Sequence, residues 1–420
     1  MATANYHPLT PGQEAGLQKF MQFYVDPTQT VMVLKGYSGT GKSTLVKSIL
    51  RDLPKMAEMC RAIAPGWREP EPVLTATTNQ AAEAFHISVD RVLPAQTIHS
   101  FLSLRLHTPD YRKPKETVLV PYGDPVEHKL IFIDESSYIG RELLKLILTQ
   151  VYNCKIVFIG DYAQLTPIDD DIMPAFEMNA MEIELTDLVR FEPGPMTDIV
   201  TDLRGAVLGH GWKKFKRTPG IIDHLPRKEF GKLALDMFKK PDEHPNMKIL
   251  AYSNNRVTLY NNGLSKHILG TSNPMIGQKM MVNAAVRNNA SSCFNNEEVQ
   301  IGHIEEAYEY GCDGWEIELV GKAGYYFMPK RRGMKEEAHR RMLMKDNYQA
   351  MKIIVDTWID LRPTFACTVN KAQGSTYDYG FIDLDDICRF ARTTNQLARL
   401  LYVGVSRFRK GVCFTGDLRR

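Results

Sequence analysis

Gly36-Tyr37-Ser38-Gly39-Thr40-Gly41-Lys42-Ser43 is the segment that most restricts what this chain can become. It follows Thr30-Val31-Met32-Val33-Leu34, an apolar, β-branched run with the length of a buried parallel strand. Beyond it, Leu45, Ile49 and Leu53 share one stripe at helical spacing. A strand, a glycine-rich turn and a helix in that order match the Walker A pattern. The glycines let successive backbone N–H groups converge on an anion at a helix N-terminus, where the dipole favours negative charge. Gly36, Ser38, Gly39, Thr40, Gly41, Lys42, Ser43 and Thr44 are therefore the expected lining of a phosphate cradle. Lys42 is placed to neutralise β- and γ-phosphates of ATP, and the Ser43 hydroxyl to ligate Mg²⁺.

A second acidic element fits the same chemistry. Asp134-Glu135 closes the apolar run Leu130-Ile131-Phe132-Ile133, the placement of a Walker B pair. Asp134 at a strand tip is expected to hold Mg²⁺, and Glu135 to orient or deprotonate the attacking water.

The rest of the 420 residues alternates short apolar runs with helical patterns, which is the α/β signature. Ile156-Val157-Phe158-Ile159 reads as a further strand, with Arg141 to Gln150 as the helix that crosses to it. A second set appears at Ile249-Leu250-Ala251-Tyr252, Phe365 to Val369 and Gly411 to Phe414, which predicts two α/β cores. Between them, Gly277 to Met328 carries short strand-like runs, and Arg331 to Trp358 is charged and helical in pattern. Arg105 to Lys129 is rich in Pro, Lys and Arg and reads as a projecting hairpin. No apolar run reaches the ~20 residues of a membrane span, and Met1 to Thr10 lacks the layout of a secretory signal. Seven scattered cysteines without a Cys-x-x-Cys pair argue against zinc and for a reducing, cytoplasmic setting. The net charge of +3 permits a polyanionic partner without demanding one, so a nucleic-acid reading must rest on motifs.

Those motifs form an ordered series that resembles the RecD/Dda-type branch of superfamily 1 DNA helicases, the phage-type Dda helicase most closely. Leu9-Thr10-Pro11-Gly12-Gln13 is similar to the family's N-terminal glutamine motif, which implies that Gln13 reads the adenine edge. Gly160-Asp161-Tyr162-Ala163-Gln164-Leu165-Thr166-Pro167 resembles the third motif, whose glutamine, here Gln164, senses the γ-phosphate. Glu184 to Arg190 resembles the fourth and implies a phosphate contact for Arg190. Asn370-Lys371-Ala372-Gln373-Gly374-Ser375 resembles motif five, with Gln373 and Gly374 on the nucleotide side. Leu401-Tyr402-Val403-Gly404-Val405-Ser406-Arg407 resembles motif six and makes Arg407 the candidate arginine finger. A planar, permanently charged fork suits developing phosphoryl charge better than lysine does.

The same resemblance implies two RecA-like cores with ATP bound between them. The first spans 1–190 with 103–129 as a pin-like insertion. The second spans 191–275 and 362–420, interrupted at 276–361 by an SH3-like module with a helical arm. It further implies 5′-to-3′ translocation on single-stranded and forked duplex DNA as a monomer, with replication or single-strand-binding proteins as partners. Thr75 to Ala82 and Thr97 to Phe101 resemble motifs Ia and Ib, so Thr78, Asn79, Thr97, His99 and Phe101 are the expected strand contacts of the first core. Asn254, Thr368, Asn370 and Lys371 are those of the second. Hydroxyls and amides hold phosphates without reading sequence, and an aromatic ring stacks on any base. The chain departs from the family pattern at Thr77, where Pro is usual, at Gln80, where Lys is common, and at Asn370, where His precedes the Lys.

Tyr111 and Tyr122 are alternative tips for the pin, beside Arg105, Arg112, Lys113 and Lys115. Arg331, Arg332, Lys335, Arg340, Arg341 and Lys345 form a basic cluster diluted by Glu336 and Glu337, either a solvated helix face or a DNA or partner contact. An RNA helicase of the same superfamily, a P-loop kinase and a nucleic-acid-binding protein with a non-hydrolysing ATP site remain as alternative readings.

Overall fold

The computed structural model describes residues 8–37, 39–116, 118–167, 170, 172–187, 193–295, 297–331 and 333–418. Ser38, Arg190 and Arg332, all named above, lie outside the described residues, as does the side chain of Lys115.

The chain divides into two compact units. Residues 1–105, 120–215 and 393–406 form the first. Its centre is a six-stranded parallel sheet in the order Met181–Leu185, Val31–Gly36, Lys155–Gly160, Lys129–Asp134, Glu71–Ala76, Ala95–Thr97. The apolar runs predicted as strands are buried on both faces, as a parallel sheet covered by helices requires. Phe20, Phe23, Tyr24, Met32, Leu45, Ile49, Phe132 and Val157 share one core. The helix Pro11–Val25 is held at both ends. Thr10 and Gln13 form a capping box at its start. At its far end the Lys155 ammonium donates to the carbonyls of Phe23, Asp26 and Gln29 at 2.7, 2.8 and 2.7 Å. Burial pushes that lysine down to about 8.

Residues 106–119, 216–392 and 407–420 form the second unit. It holds a five-stranded parallel sheet in the order Ile222–His224, Phe408–Thr415, Tyr377–Asp383, Met247–Ala251, Ala366–Thr368. The α/β class with two parallel cores, expected for a RecA-like pair, is what the chain adopts. A separate antiparallel sheet joins Tyr325–Pro329, Cys312–Leu319, Glu298–Glu309, Lys279–Val282 and Leu361–Pro363 around its own apolar core. The helices Met334–Met344 and Tyr348–Thr357 lie between its strands Tyr325–Pro329 and Leu361–Pro363, and Met334, Ala338, Met342, Met351 and Ile354 from them are buried with Trp358.

The observed units differ from the expected boundaries in three places. Residues 191–215, expected in the second core, belong with the first unit. Residues 393–406 belong with the first unit, because the helix Thr394–Val405 hydrogen-bonds to its loops. The tip of the expected pin, 106–119, belongs with the second, because Tyr111 packs on the helical arm. Its ring meets Tyr348 edge-on at 5.6 Å, its hydroxyl donates to Asp356 at 3.1 Å, and its carbonyl bonds the His339 ring at 2.6 Å. Tyr122 is 60% exposed, with the Arg105 guanidinium 5.1 Å from its ring centre, so of the two tyrosines it is the one open to a partner. In the basic cluster, Lys335 donates to the carbonyls of Val355 and Trp358, and Arg341 to those of Tyr310 and Gly311. Among the described residues, no helix is long and apolar enough to cross a membrane.

Gly380 marks a tight point in the second sheet, since a Cβ there would run into the Phe408 ring of the neighbouring strand. Gly380→Ala is expected to destabilise this unit by about 1–3 kcal/mol through overpacking, read as a lowered urea midpoint.

Candidate active site

In a parallel sheet every strand ends on the same side, and loops at that carboxyl edge form the binding crevice. Register makes the consequence specific here. Lys35 pairs with Gly160, Ile133 with Phe158, and Ala76 with Asp134, so the Walker A loop, the Walker B pair and the Gly160–Gln164 loop leave from adjacent strand ends. The strand Lys155–Gly160 lies between the two Walker strands, an order that the sequence had not disclosed.

The loop from Gly36 to Lys42 closes on itself. The Thr40 hydroxyl donates to the Tyr37 carbonyl at 2.9 Å, and the Lys42 ammonium donates to the carbonyls of Gly36 and Tyr37 at 2.6 and 3.2 Å. Gly41 takes a φ of +79° at the position before the helix Lys42–Ile63, a conformation that side chains with a Cβ resist. Ser43 and Thr44 occupy the first turn of that helix. Gln13, 1% exposed, accepts the Thr10 N–H at 3.0 Å through Oε1 and donates through Nε2 to the carbonyls of Thr40 and Gly41 at 3.4 and 3.3 Å. It thus braces the loop from behind. Missed from the sequence was Arg204, whose guanidinium stacks 3.9 Å from the centre of the Tyr37 ring.

Burial pushes the Asp134 carboxyl up from its usual range, while the Lys42 ammonium opposes that shift. A carboxylate and a hydroxyl beside a lysine are hard oxygen donors of the kind Mg²⁺ prefers, so Asp134 and Ser43 fit the metal that the sequence implies. Glu135 stands in the left-handed region at φ +52°, which is uncommon for a residue with a side chain and clusters at functional positions. Its carbonyl accepts the Thr77 hydroxyl at 3.4 Å. Thr77 thereby ties the turn after the strand Glu71–Ala76 to the Asp134-Glu135 pair. Gln164, 4% exposed, accepts the Ser137 hydroxyl at 3.4 Å, two residues beyond Glu135.

Further along the same edge, Thr78 and Thr97 cap adjacent short helices, accepting the N–H groups of Ala81 and Ser100 at 3.1 and 3.0 Å. Asn79 opens the first of these helices, and His99 and Phe101 lie in the second. Burial pushes the His99 imidazole below its ordinary value.

In the second unit, Asn254, Thr368 and Lys371 line one recess together with Lys248 and Arg362. The Lys371 ammonium donates to Asn283 at 2.6 Å, and Arg362 donates to Asn254 at 3.2 Å and to Asp360 at 2.8 Å. Arg362 carried no motif signal in the sequence. Asn370 and Gln373 follow in the turn of helix Val369–Ala372, and Gly374 takes a φ of +80°. Arg407 is 6% exposed and donates to the Ser375 carbonyl at 3.4 Å, inside its own unit.

A phosphate cradle and an acidic strand tip on one sheet edge make this a P-loop nucleotide-binding protein. The profile of the AAA domain family matches residues 8–217, half of the chain, and the chain belongs to that family. No curated protein matches the sequence. Among solved structures, it is similar to the Pif1 helicase from Candida albicans at 15% identity, over 98% of this chain and 95% of that one, with a TM-score of 0.48. It is also similar to Pif1 helicase from Bacteroides in complex with ADP-AlF3 and single-stranded DNA, at 15% identity over 99% and 94%, with a TM-score of 0.44. The PRRSV helicase follows at 12% identity over 95% and 55%, with a TM-score of 0.38.

Gly41→Ala would drive a Cβ into the Gln13 amide and forbid the observed φ. The expected result is at least about fivefold weaker binding of a fluorescent ADP analogue, measured by titration, since strained substitutions of this kind exceed about 1 kcal/mol.

Proposed function

We propose that this protein is an ATP-dependent helicase of superfamily 1 that moves 5′ to 3′ along single-stranded DNA and opens forked duplexes. The observation that carries the reading is the shared sheet edge. Lys42, Asp134, Glu135 and Gln164 stand at one part of it, and the Thr78 and Thr97 caps at the next. Nucleotide chemistry and strand contact are therefore served by loops a few residues long, leaving consecutive strands. A small-molecule kinase has no use for the second set of contacts.

ATP is the substrate. The Gly36 to Thr44 cradle binds its phosphates, with Ser38 and Gly39 among the backbone donors, and Gln13 orients the base. Mg²⁺, held by Ser43 and Asp134, would neutralise charge on the β- and γ-phosphates. Glu135 positions the attacking water and takes its proton; Gln164 and Arg190 register the γ-phosphate. Arg407 supplies the positive fork for the charge that develops on transfer, with Gln373 and Gly374 on the same nucleotide side. Thr78, Asn79, Thr97, His99 and Phe101 of one unit, and Asn254, Thr368, Asn370 and Lys371 of the other, grip the strand. Binding and hydrolysis change the hold of each unit in turn, because contacts made only to ATP are lost in ADP. Separating a base-pair step takes on the order of 1–2 kcal/mol, within reach of a nucleotide-driven cycle.

ATP turnover with and without single-stranded DNA or RNA tests the motor directly, followed by unwinding of 5′- and 3′-tailed duplexes. DNA-stimulated turnover and opening of 5′-tailed duplexes are expected. Absence of stimulation by any polynucleotide would sink the motor, stimulation by RNA alone the choice of DNA, and opening of only 3′-tailed duplexes the direction. Lys42→Ala and Arg407→Ala are each expected to lower turnover by about 100-fold or more while single-strand affinity stays within about threefold.

A further inference from the structure

Three polar residues of the helix Thr394–Val405, namely Asn395, Arg399 and Tyr402, follow the spacing of one helical stripe. Leu397, Leu400 and Leu401 supply the apolar packing of that helix. The polar stripe does something else. One guanidinium nitrogen of Arg399 donates to the carbonyls of both Tyr162 and Gln164, at 2.6 and 2.7 Å. Its Nε donates to Asn395 at 2.8 Å, and its charged plane lies 5.6 Å from the centre of the Tyr162 ring. The Tyr402 hydroxyl donates to the Asp161 carboxylate, which is 1% exposed and whose other oxygen accepts the Ala163 N–H at 2.9 Å. Every residue from Asp161 to Gln164 is thus held by backbone or side chain.

The loop so clamped is the one that carries Gln164, whose side-chain amide meets Ser137 beside the Walker B pair. The opposite end of the stripe is anchored as well, since the Asn395 amide donates to the Val207 carbonyl at 2.8 Å. Val207 ends the helix Pro195–Val207, whose Arg204 covers Tyr37 of the phosphate loop. After Tyr402 the helix runs only to Val405, and Arg407 follows two residues on, where the chain passes to the second unit.

We infer that Arg399 and Tyr402 are positioning residues for hydrolysis, fixing the Gln164 loop to the helix from which Arg407 emerges. They touch no reacting atom. Their effect is to hold the loop that carries the glutamine by hydrogen bonds to the helix Thr394–Val405. Burying a guanidinium is unfavourable unless fixed acceptors meet it, and here two carbonyls of the sensing loop do so. Lysine cannot reproduce the arrangement, because a single ammonium lacks the planar fork that bonds two loop carbonyls and Asn395 together.

This inference rests on the proposed ATP hydrolysis and is tested on the full-length chain. Arg399→Ala, Arg399→Lys and Tyr402→Phe are compared with the parent for DNA-stimulated kcat, KM for ATP and affinity for a fluorescent ADP analogue. The expected pattern is a kcat at least about tenfold lower for Arg399→Ala and about three- to tenfold lower for the two conservative variants, with KM and ADP affinity within about threefold. In a Gln164→Ala background, Arg399→Ala is expected to add less than about twofold, as residues acting through one element are not additive. Hydrogen exchange of the 161–165 amides should quicken in Arg399→Ala. Full additivity with Gln164→Ala, or unchanged kcat in Arg399→Lys and Tyr402→Phe, would overturn the assignment, as would parallel loss of ADP affinity and kcat. A parent chain without turnover would remove both this inference and the function it rests on; a parent with DNA-stimulated turnover but additive variants would remove this one alone.

Discussion

Parallel pairing between Val31–Gly36, Lys155–Gly160 and Lys129–Asp134 is the constraint on which the rest of the site depends. Backbone hydrogen bonds in that ladder leave no freedom about where Gly36, Asp134 and Gly160 end up. They must reach the same edge, Gly160 one strand spacing of about 5 Å from each of the other two. A loop one residue out of register would face its functional side chains to the opposite side of the sheet. The apolar burial of Met32, Leu34, Phe132, Ile133, Val157 and Ile159 is what holds that register. Catalytic geometry here is a by-product of a dry core.

Three cations of the first unit are met by backbone acceptors. Lys155 gathers three carbonyls at the end of the first helix, Lys42 two in the glycine-rich loop, and Arg399 two in the loop of Gln164. Carbonyls at helix ends and in turns lack ladder partners, so a half-buried cation satisfies them while they satisfy it. Lys155 and Arg399 stitch together segments far apart in sequence, whereas Lys42 closes its own loop. In each pairing the cation supplies the donors and the backbone supplies a rigid, neutral template.

Much of this was legible in the residues. The buried strands, the phosphate loop and its helix, and the acidic strand end all follow from apolar periodicity and glycine placement, which are local properties. The crossover helix Arg141–Thr149 appeared where expected for the same reason. What was not legible is what distant segments do to one another. Nothing in Tyr111 distinguishes it from Tyr122 as a sequence position, yet one is packed on a helical arm and the other is exposed. The strand Tyr377–Asp383, central in its sheet, went unread because its polar first half hides the apolar second half. Arg204, Arg362 and Arg399 escaped notice because an arginine's acceptors are set by whichever carbonyls the fold brings near.

The sequence by itself determined the kind of chemistry. A glycine-rich turn that opens a helix after a strand can cradle phosphates because of backbone geometry alone, and Lys42, Ser43, Asp134 and Glu135 are the residue types that this chemistry uses. Only the tertiary structure decided how those groups are braced. The insertion of Lys155–Gly160 between the Walker strands, the return of residues 393–406 to the first unit, and the Arg399 and Tyr402 contacts to the loop of Gln164 join partners that no local window of sequence contains. Such contacts are selected by packing and by the need of every buried polar group for a partner, and neither is written in any local pattern.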